Sequence, residues 1–407
     1  MSTMQERAAQ AGLNTRVVDL EGDARLGVDP FAVWDELADD GPLLYSTAGR
    51  GFFVATDYDT IKDVLQDPAK WSSLPTSLTY TTHEVINSFI PIAMDPPEHG
   101  RYRSPLIPLF GPRAVKRFDP HIRQVANDLI DKILAKGTCD YVIDFASQLP
   151  AQFFLAWLGL GEEDAHHMHE LANRATFGFE DQSARTSVED DIGSVVRRLL
   201  EERRDAPRDD LASELLALRI DGEPIDMESL VSIGSLAFVA GQDTTAGNLA
   251  YTMLHLSTHA EDRRRIVDDP GIIPLALEEL TRLYNSGGPV GRIATQDMEL
   301  HGTAIEPGDR IFLARVTADR SVYDDGVKLD RQPNRHTAFG LGPHRCLGVH
   351  IARLEMQIAL EVWHQRLPNY RVPPGFVPEH RYGSFMQQLK SLPLEFDLEF
   401  HDKEAAS

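Results

Sequence analysis

The chain has 407 residues, 42% of them hydrophobic, and carries 63 Asp and Glu against 40 Lys and Arg, a formal net charge of −23. Length and apolar content allow one large packed unit or two to three average domains, and no repeat or low-complexity tract interrupts them. The charge argues against a nucleic-acid partner, which needs clustered Lys and Arg on an accessible face, and it disfavours an anionic membrane surface.

Residues 1–20 carry Glu6, Arg7, Arg16 and Asp19 without an apolar core, so they read as a flexible N-terminus of a cytoplasmic protein and not as a signal peptide or anchor. Short strands are expected near 43–45 and 51–55. The punctuation Asp95-Pro96-Pro97 precedes His99 and Arg103, four apart and therefore on one face of any helix there. Gly137-Thr138-Cys139-Asp140-Tyr141 reads as a turn into a short strand. His166-His167-Met168-His169 lacks a second set of ligands and reads as a solvated helix surface. The charged stretch 180–210 reads as a solvated helix and loop.

Residues 230–259 form a long apolar segment, about 45 Å as an α-helix. Gln242, Asp243, Thr244, Thr245 and Asn248 interrupt its middle, which is costly in lipid, so a helix through a protein core is expected instead of a membrane span. The Thr244 hydroxyl can bond a carbonyl one turn earlier or turn outward, and a local break in the helix there would open space. Glu279 and Arg282 stand three apart on one helix face. Gly287-Gly288-Pro289 marks a loop ahead of Gly291-Arg292-Ile293, and strands are expected at 298–300 and 310–313.

The most informative stretch is Phe339-Gly340-Leu341-Gly342-Pro343-His344-Arg345-Cys346-Leu347-Gly348. Its glycines permit backbone angles closed to other residues and let the chain approach a flat ligand. The helix expected over 347–366, with Ile351, Leu354, Ile358 and Val362 at three- and four-residue spacing, aims free N–H groups and a positive dipole end at Cys346. Both favour a thiolate, a soft anionic metal ligand. With one of two cysteines committed to a metal, no disulfide is expected, as suits a reducing compartment.

Spaced as F-G-x-G-x-H-x-C-x-G, that decapeptide resembles the heme-binding signature of the cytochrome P450 family, and further family motifs follow in order over roughly residues 29–396. The resemblance implies a mainly α protein with a small β region, a single large cytochrome P450-like fold spanning 1–407, carrying heme b. Cys346 would be the axial iron ligand, with Phe339 and Gly348 beside the heme and His99, Arg103, Arg292 and His344 neutralising its propionates. Ala240-Gly241-Gln242-Asp243-Thr244-Thr245 is similar to the oxygen-activation motif: small residues over the heme face, then Asp243 and Thr244 as a proton relay. Glu279 and Arg282 match the structural E-x-x-R pair, whose third member is Arg331, Arg335 or His336. Substrate contacts are implied at Asn87, Phe89, Ala240, Gly241, Val290 and Phe385.

The wording is closest to the camphor-hydroxylating branch, with departures. Asn87 replaces a ketone-binding tyrosine, one extra residue separates Arg282 from Arg292, Gly287-Gly288-Pro289-Val290 replaces bulkier wall residues, and residues 321–330 lack the family's Pro and Phe pattern. The implied activity is insertion of one oxygen atom from O2 into a small or mid-sized apolar, terpenoid-like molecule by a monomeric enzyme. Electrons would come from a ferredoxin and ferredoxin reductase, since no flavin or iron–sulfur module fits this length. The alternatives are a heme-binding sensor or sequestering protein without turnover, an O-demethylase of an aryl ether, and a peroxide-driven oxygenase.

Overall fold

The apolar segment forms one 32-residue helix, Met227–Thr258, about 48 Å long, started by the Asp226 side chain accepting from the Ser229 N–H. Leu230, Phe238, Leu249, Met253 and Leu256 are buried along its whole length, and Gln148–Leu158, Gln182–Asp205, Ile273–Leu283 and Val349–Arg366 pack around it. It is the axle of the helical core. In this computed structural model the described residues are 2–19, 22–74, 89–161, 167–168, 170–171, 174, 182–383 and 386–396. No helix among them is long and apolar enough to cross a membrane.

A six-stranded sheet stands beside the helices, in the order Thr15–Arg16, Leu43–Ser46, Phe52–Ala55, Arg310–Leu313, Val290–Ala294, Trp71–Ser72. The strands expected near 43–45, 51–55, 298–300 and 310–313 are present, Met298–Leu300 in a separate hairpin with Thr303–Ile305. Val290–Ala294 carried no strand signal because its Gly and Arg break the apolar alternation; tertiary pairing with Arg310–Leu313 makes it a strand and sets Arg292 opposite Ile311. A second hairpin, His380–Gly383 with Met386–Leu389, packs against the central helix.

Gly137 caps the helix Asp119–Lys136 in the left-handed region and leads into the strand Cys139–Asp140. Met4–Gln10, within the stretch read as a flexible N-terminus, is a capped helix whose buried Arg7 pairs with Asp309 and Glu306. The charged region forms the helix Gln182–Asp205 but is not wholly solvated: Arg203 and Asp210 make a buried ion pair, and Arg203 donates to the Gly159 carbonyl at 2.7 Å. Of the histidine run, His167 is exposed and Met168 buried; His166 and His169 lie outside the described residues.

Candidate active site

Cys346 is set by its loop's backbone. Its N–H donates to the Phe339 carbonyl at 2.7 Å, and Arg345 N–H closes onto Gly342 O at 3.1 Å. Gly340 and Gly342 take φ of +66° and +67°, as glycine allows. Gly348 does not: at φ −80° it is the N-cap of Val349–Arg366, which therefore starts two residues later than expected. Its N–H bonds the Cys346 sulfur, and a Cβ there would lie 3.9 Å from Sγ. Cys346 is solvent-reachable yet surrounded by dense protein, so burial raises its thiol above the ordinary range, against the sequence expectation. The Gly348 N–H and the charges of Arg103, Arg315 and Arg353 pull the other way.

Cations gather around this cysteine. Arg103, one turn beyond His99 on the helix Glu98–Phe110, donates to the Arg345 carbonyl. The His99 and His344 rings lie 4.1 Å apart, centroid to centroid, and the Nε2 of each is buried without a partner. Burial, then the charges of His99, Arg292 and Arg103, push His344 down to about 3; burial and Arg103 lower His99. Arg292 donates to the Gly291 carbonyl at 2.7 Å and is pushed down to about 10 by burial and by Arg315, with Asp95 opposing. Among the described residues none of these four hydrogen-bonds a carboxylate. Asp95 and Cys346 act on Arg292 and Arg103 only through space, so neither guanidinium has a hydrogen-bonded counter-charge of the kind buried cations require.

On the central helix Ala240 is exposed and Thr244 partly buried, four apart and so on one face. Thr244 Oγ1 donates to the Ala240 carbonyl at 2.9 Å, the first of the two orientations the sequence allowed, the Thr244 carbonyl accepts from Asn248 Nδ2 and Ser286 Oγ, each at 2.9 Å, and the helix runs unbroken here. Asp243 is 4% exposed and acts on Arg381 of the second hairpin, whose charge it supports against burial.

A cysteine in a glycine loop of left-handed backbone, with guanidiniums and imidazoles around it that no carboxylate hydrogen-bonds among the described residues, agrees with what sequence comparison returns. The family model described as Cytochrome P450 matches residues 272–375. The "Probable cytochrome P450 127A1" of Sinorhizobium fredii is 32% identical over 360 residues, covering 86% of each chain. This chain belongs to the cytochrome P450 family. The "Mycinamicin IV hydroxylase/epoxidase" of Micromonospora griseorubida is 32% identical, covering 80% of this chain and 84% of that one. The crystal structure of cytochrome P450 CYP101C1 superposes with a TM-score of 0.86 at 28% identity, over 94% of this chain and 98% of that one.

The P450 cofactor is heme b, and the residues present fit it: a soft donor in Cys346, and orphaned imidazoles and uncompensated guanidiniums suited to two propionates. Phe339 is partly buried, with the Arg353 guanidinium 4.9 Å above its ring. Arg353 is held by both oxygens of Glu278, at 2.6 and 2.7 Å, and His336 Nε2 meets the same carboxylate at 3.0 Å. Burial alone would raise Glu278; His336 and Arg353 reverse this and hold it at about 2. Sequence reading missed this triad, for which no motif exists.

The E-x-x-R network is complete. Arg282 donates to both oxygens of Glu279 at 2.9 Å, and of the three candidates it is Arg331 that reaches Glu279, at 3.0 Å. Arg335 pairs with Asp59 and His336 with Glu278. Burial disfavours the charged Glu279, but Arg282, Arg331 and the Lys328 N–H hold its carboxyl below the ordinary range.

The substrate-side expectations divide. Gly241 packs against protein: a Cβ there would meet Phe154 Cδ2 at 2.8 Å, so its small size serves packing against Gln148–Leu158. Phe89 is half-buried, in a segment pinned to the central helix by Ile90 N–H donating to Ser232 Oγ at 2.8 Å. Val290 pairs with Leu313 and packs with the sheet-side cluster. Gly287 bridges to Met386, joining the wall loop to the second hairpin. Asn87 and Phe385 lie outside the described residues.

Proposed function

We propose that this P450 inserts one oxygen atom from O2 into a small or mid-sized apolar, terpenoid-like molecule, with electrons from a ferredoxin and its reductase. The observation carrying the reading is the gathering of Arg103, Arg292, His99 and His344 around the Cys346 loop, with no carboxylate hydrogen-bonded to any of the four side chains among the described residues. Heme bound there supplies the site at which dioxygen is bound and reductively activated. Cys346 would hold the iron as its thiolate, and the Gly348 N–H would stabilise that negative charge. His99, Arg103, Arg292 and His344 receive the propionates.

Proton delivery falls to Asp243 and Thr244. The Thr244 hydroxyl, released from the Ala240 carbonyl, can turn outward and donate while Asp243 beside it resupplies the proton. A sensor or sequestering protein has no need of this pair, and a relative bearing the name hydroxylase/epoxidase supports turnover. Asn87 would give the substrate its one polar contact, so the substrate would carry one oxygen function. The ferredoxin docks beneath Cys346, where exposed Arg113, Lys116, Arg117 and Arg345 stand out on a chain of net charge −23. Arg117 is already paired with Glu214 at 2.6 Å, which leaves Arg113 and Lys116 as the main attraction.

The deciding experiment is Cys346→Ser. Thiolate ligation gives the reduced carbon monoxide complex its red-shifted absorption band, and this variant should lose it; a retained band would refute the assignment.

A further inference from the structure

Arg315 belongs to no sequence motif. It opens the helix Arg315–Ser321 directly after the strand Arg310–Leu313 and is only 8% exposed. Nη1 donates to the carbonyls of Thr337 at 3.2 Å and Ala338 at 3.1 Å, just ahead of Phe339. Nη2 donates to the Gly288 carbonyl, in the wall loop, at 2.5 Å. A Cβ on Gly287 would stand 3.2 Å from Nη2, so the glycine pair lets the guanidinium come this close.

Three carbonyl dipoles do not neutralise a buried guanidinium, and burying an unpaired charge is costly. Among the described residues no carboxylate hydrogen-bonds Arg315. Burial lowers its pKa, opposed by Asp319 and Cys346, and Asp319 is itself raised to about 6 by burial. Nε is buried without a partner. The donors left over, Nε–H and one Nη2 hydrogen, belong to the edge with which a guanidinium grips both oxygens of a carboxylate. Its carbonyl partners Thr337 and Ala338 stand just ahead of Phe339, and Arg292 and Cys346 are its electrostatic neighbours, so Arg315 lies beside the residues that would hold the cofactor.

We propose that Arg315 is a carboxylate-binding residue whose free edge receives a heme propionate alongside Arg292, tying together the cofactor, the wall loop at Gly288 and the cysteine loop at Thr337 and Ala338. The inference rests on the heme reading of the site. An acid group on a substrate offers the same chemistry, and the test separates the two sources.

Arg315→Gln and Arg315→Lys are compared with wild type as holoproteins, first by the reduced carbon monoxide band. Its absence in wild type would sink the heme reading itself, independently of Arg315. The substrate-free midpoint potential and the rate of heme transfer to an acceptor globin are then measured. Removing a cation beside the heme disfavours the more negative ferrous state. The Gln variant should shift the ferric–ferrous equilibrium about tenfold toward ferric, ~59 mV for a one-electron couple, and release heme faster. The Lys variant, keeping the charge, should restore most of the potential even if the Gln variant holds heme poorly. Lauric acid and its methyl ester serve as probes of the spin state. If the Gln substitution leaves potential and heme release unchanged but abolishes a preference for the acid, the carboxylate is the substrate's and the propionate assignment is overturned. If Lys fails to restore the potential, or neither substitution moves it and no acid preference is lost, Arg315 is a packing strut and the proposal falls.

Discussion

Replacing Gly342 with Ala tests how the cysteine loop is seated. Gly342 opens the 3-10 turn Gly342–His344, and a Cβ there would stand 2.2 Å from the Leu65 carbonyl oxygen and 3.0 Å from its carbon, at the end of the helix Tyr58–Gln66. These are backbone atoms and cannot swing aside. Two costs combine: about 1–2 kcal/mol for a side chain at φ +67°, and about 1–3 kcal/mol for overpacking. Reduced freedom of the unfolded chain returns about 0.4–1 kcal/mol, leaving roughly 3 kcal/mol of destabilisation. Gly340→Ala is the matched control, because its φ is +66° but the nearest atom to its Cβ is 3.7 Å away, so only the conformational cost applies, about 1–2 kcal/mol before the same unfolded-state return. Urea unfolding followed by tryptophan fluorescence, with heme content measured on each preparation, reads both effects. Gly342→Ala should be the less stable by at least ~1 kcal/mol and should retain less heme. Equal losses for the two variants would show that the close approach to Leu65 does not hold the loop.

Glu278, held from an ordinary 4.5 down to about 2 by His336 and Arg353, contributes stability that is present above pH 4.5 and lost as pH falls toward 2. Glu278→Gln should therefore cost at most roughly 3 kcal/mol near neutral pH, and its deficit against wild type should shrink on acidification; a deficit independent of pH would contradict the ion-pair reading. Asp243→Asn should slow turnover about 10²-fold or more, while Thr244→Ala should keep NADH consumption but divert it to peroxide; wild-type rate and yield in both would refute the relay. Reversing the charges of Arg113 and Lys116 should raise the ferredoxin KM, with the wild-type KM rising as salt is added; an unchanged, salt-independent KM would place docking elsewhere.

Sequence alone determined the features that rest on short-range physics. The apolar run and its polar middle specify the helix Met227–Thr258, and the glycine spacing around Cys346 specifies a loop no other residues could form. Glu279 one turn from Arg282 is legible because a helix turn brings the two together whatever the rest of the chain does, and Asp243 beside Thr244 is legible as adjacent polar residues inside an apolar run. Tertiary structure decided the choices between chemically equivalent groups. Arg331, Arg335 and His336 lie within six residues and all found acidic partners, but only Arg331 meets Glu279, 52 positions away, because the fold crosses there. Gly241 suits close passage over a ligand as well as close packing, and only the position of Phe154 shows that it packs. Arg315 was invisible because its meaning lies in carbonyls 22 to 27 residues distant and in the absence of a hydrogen-bonded carboxylate among the described residues. Val290–Ala294 became a strand by pairing with Arg310–Leu313, not by its own pattern. Local backbone and burial preferences are written in neighbouring residues; the pairing of distant charges is written only in the path of the whole chain.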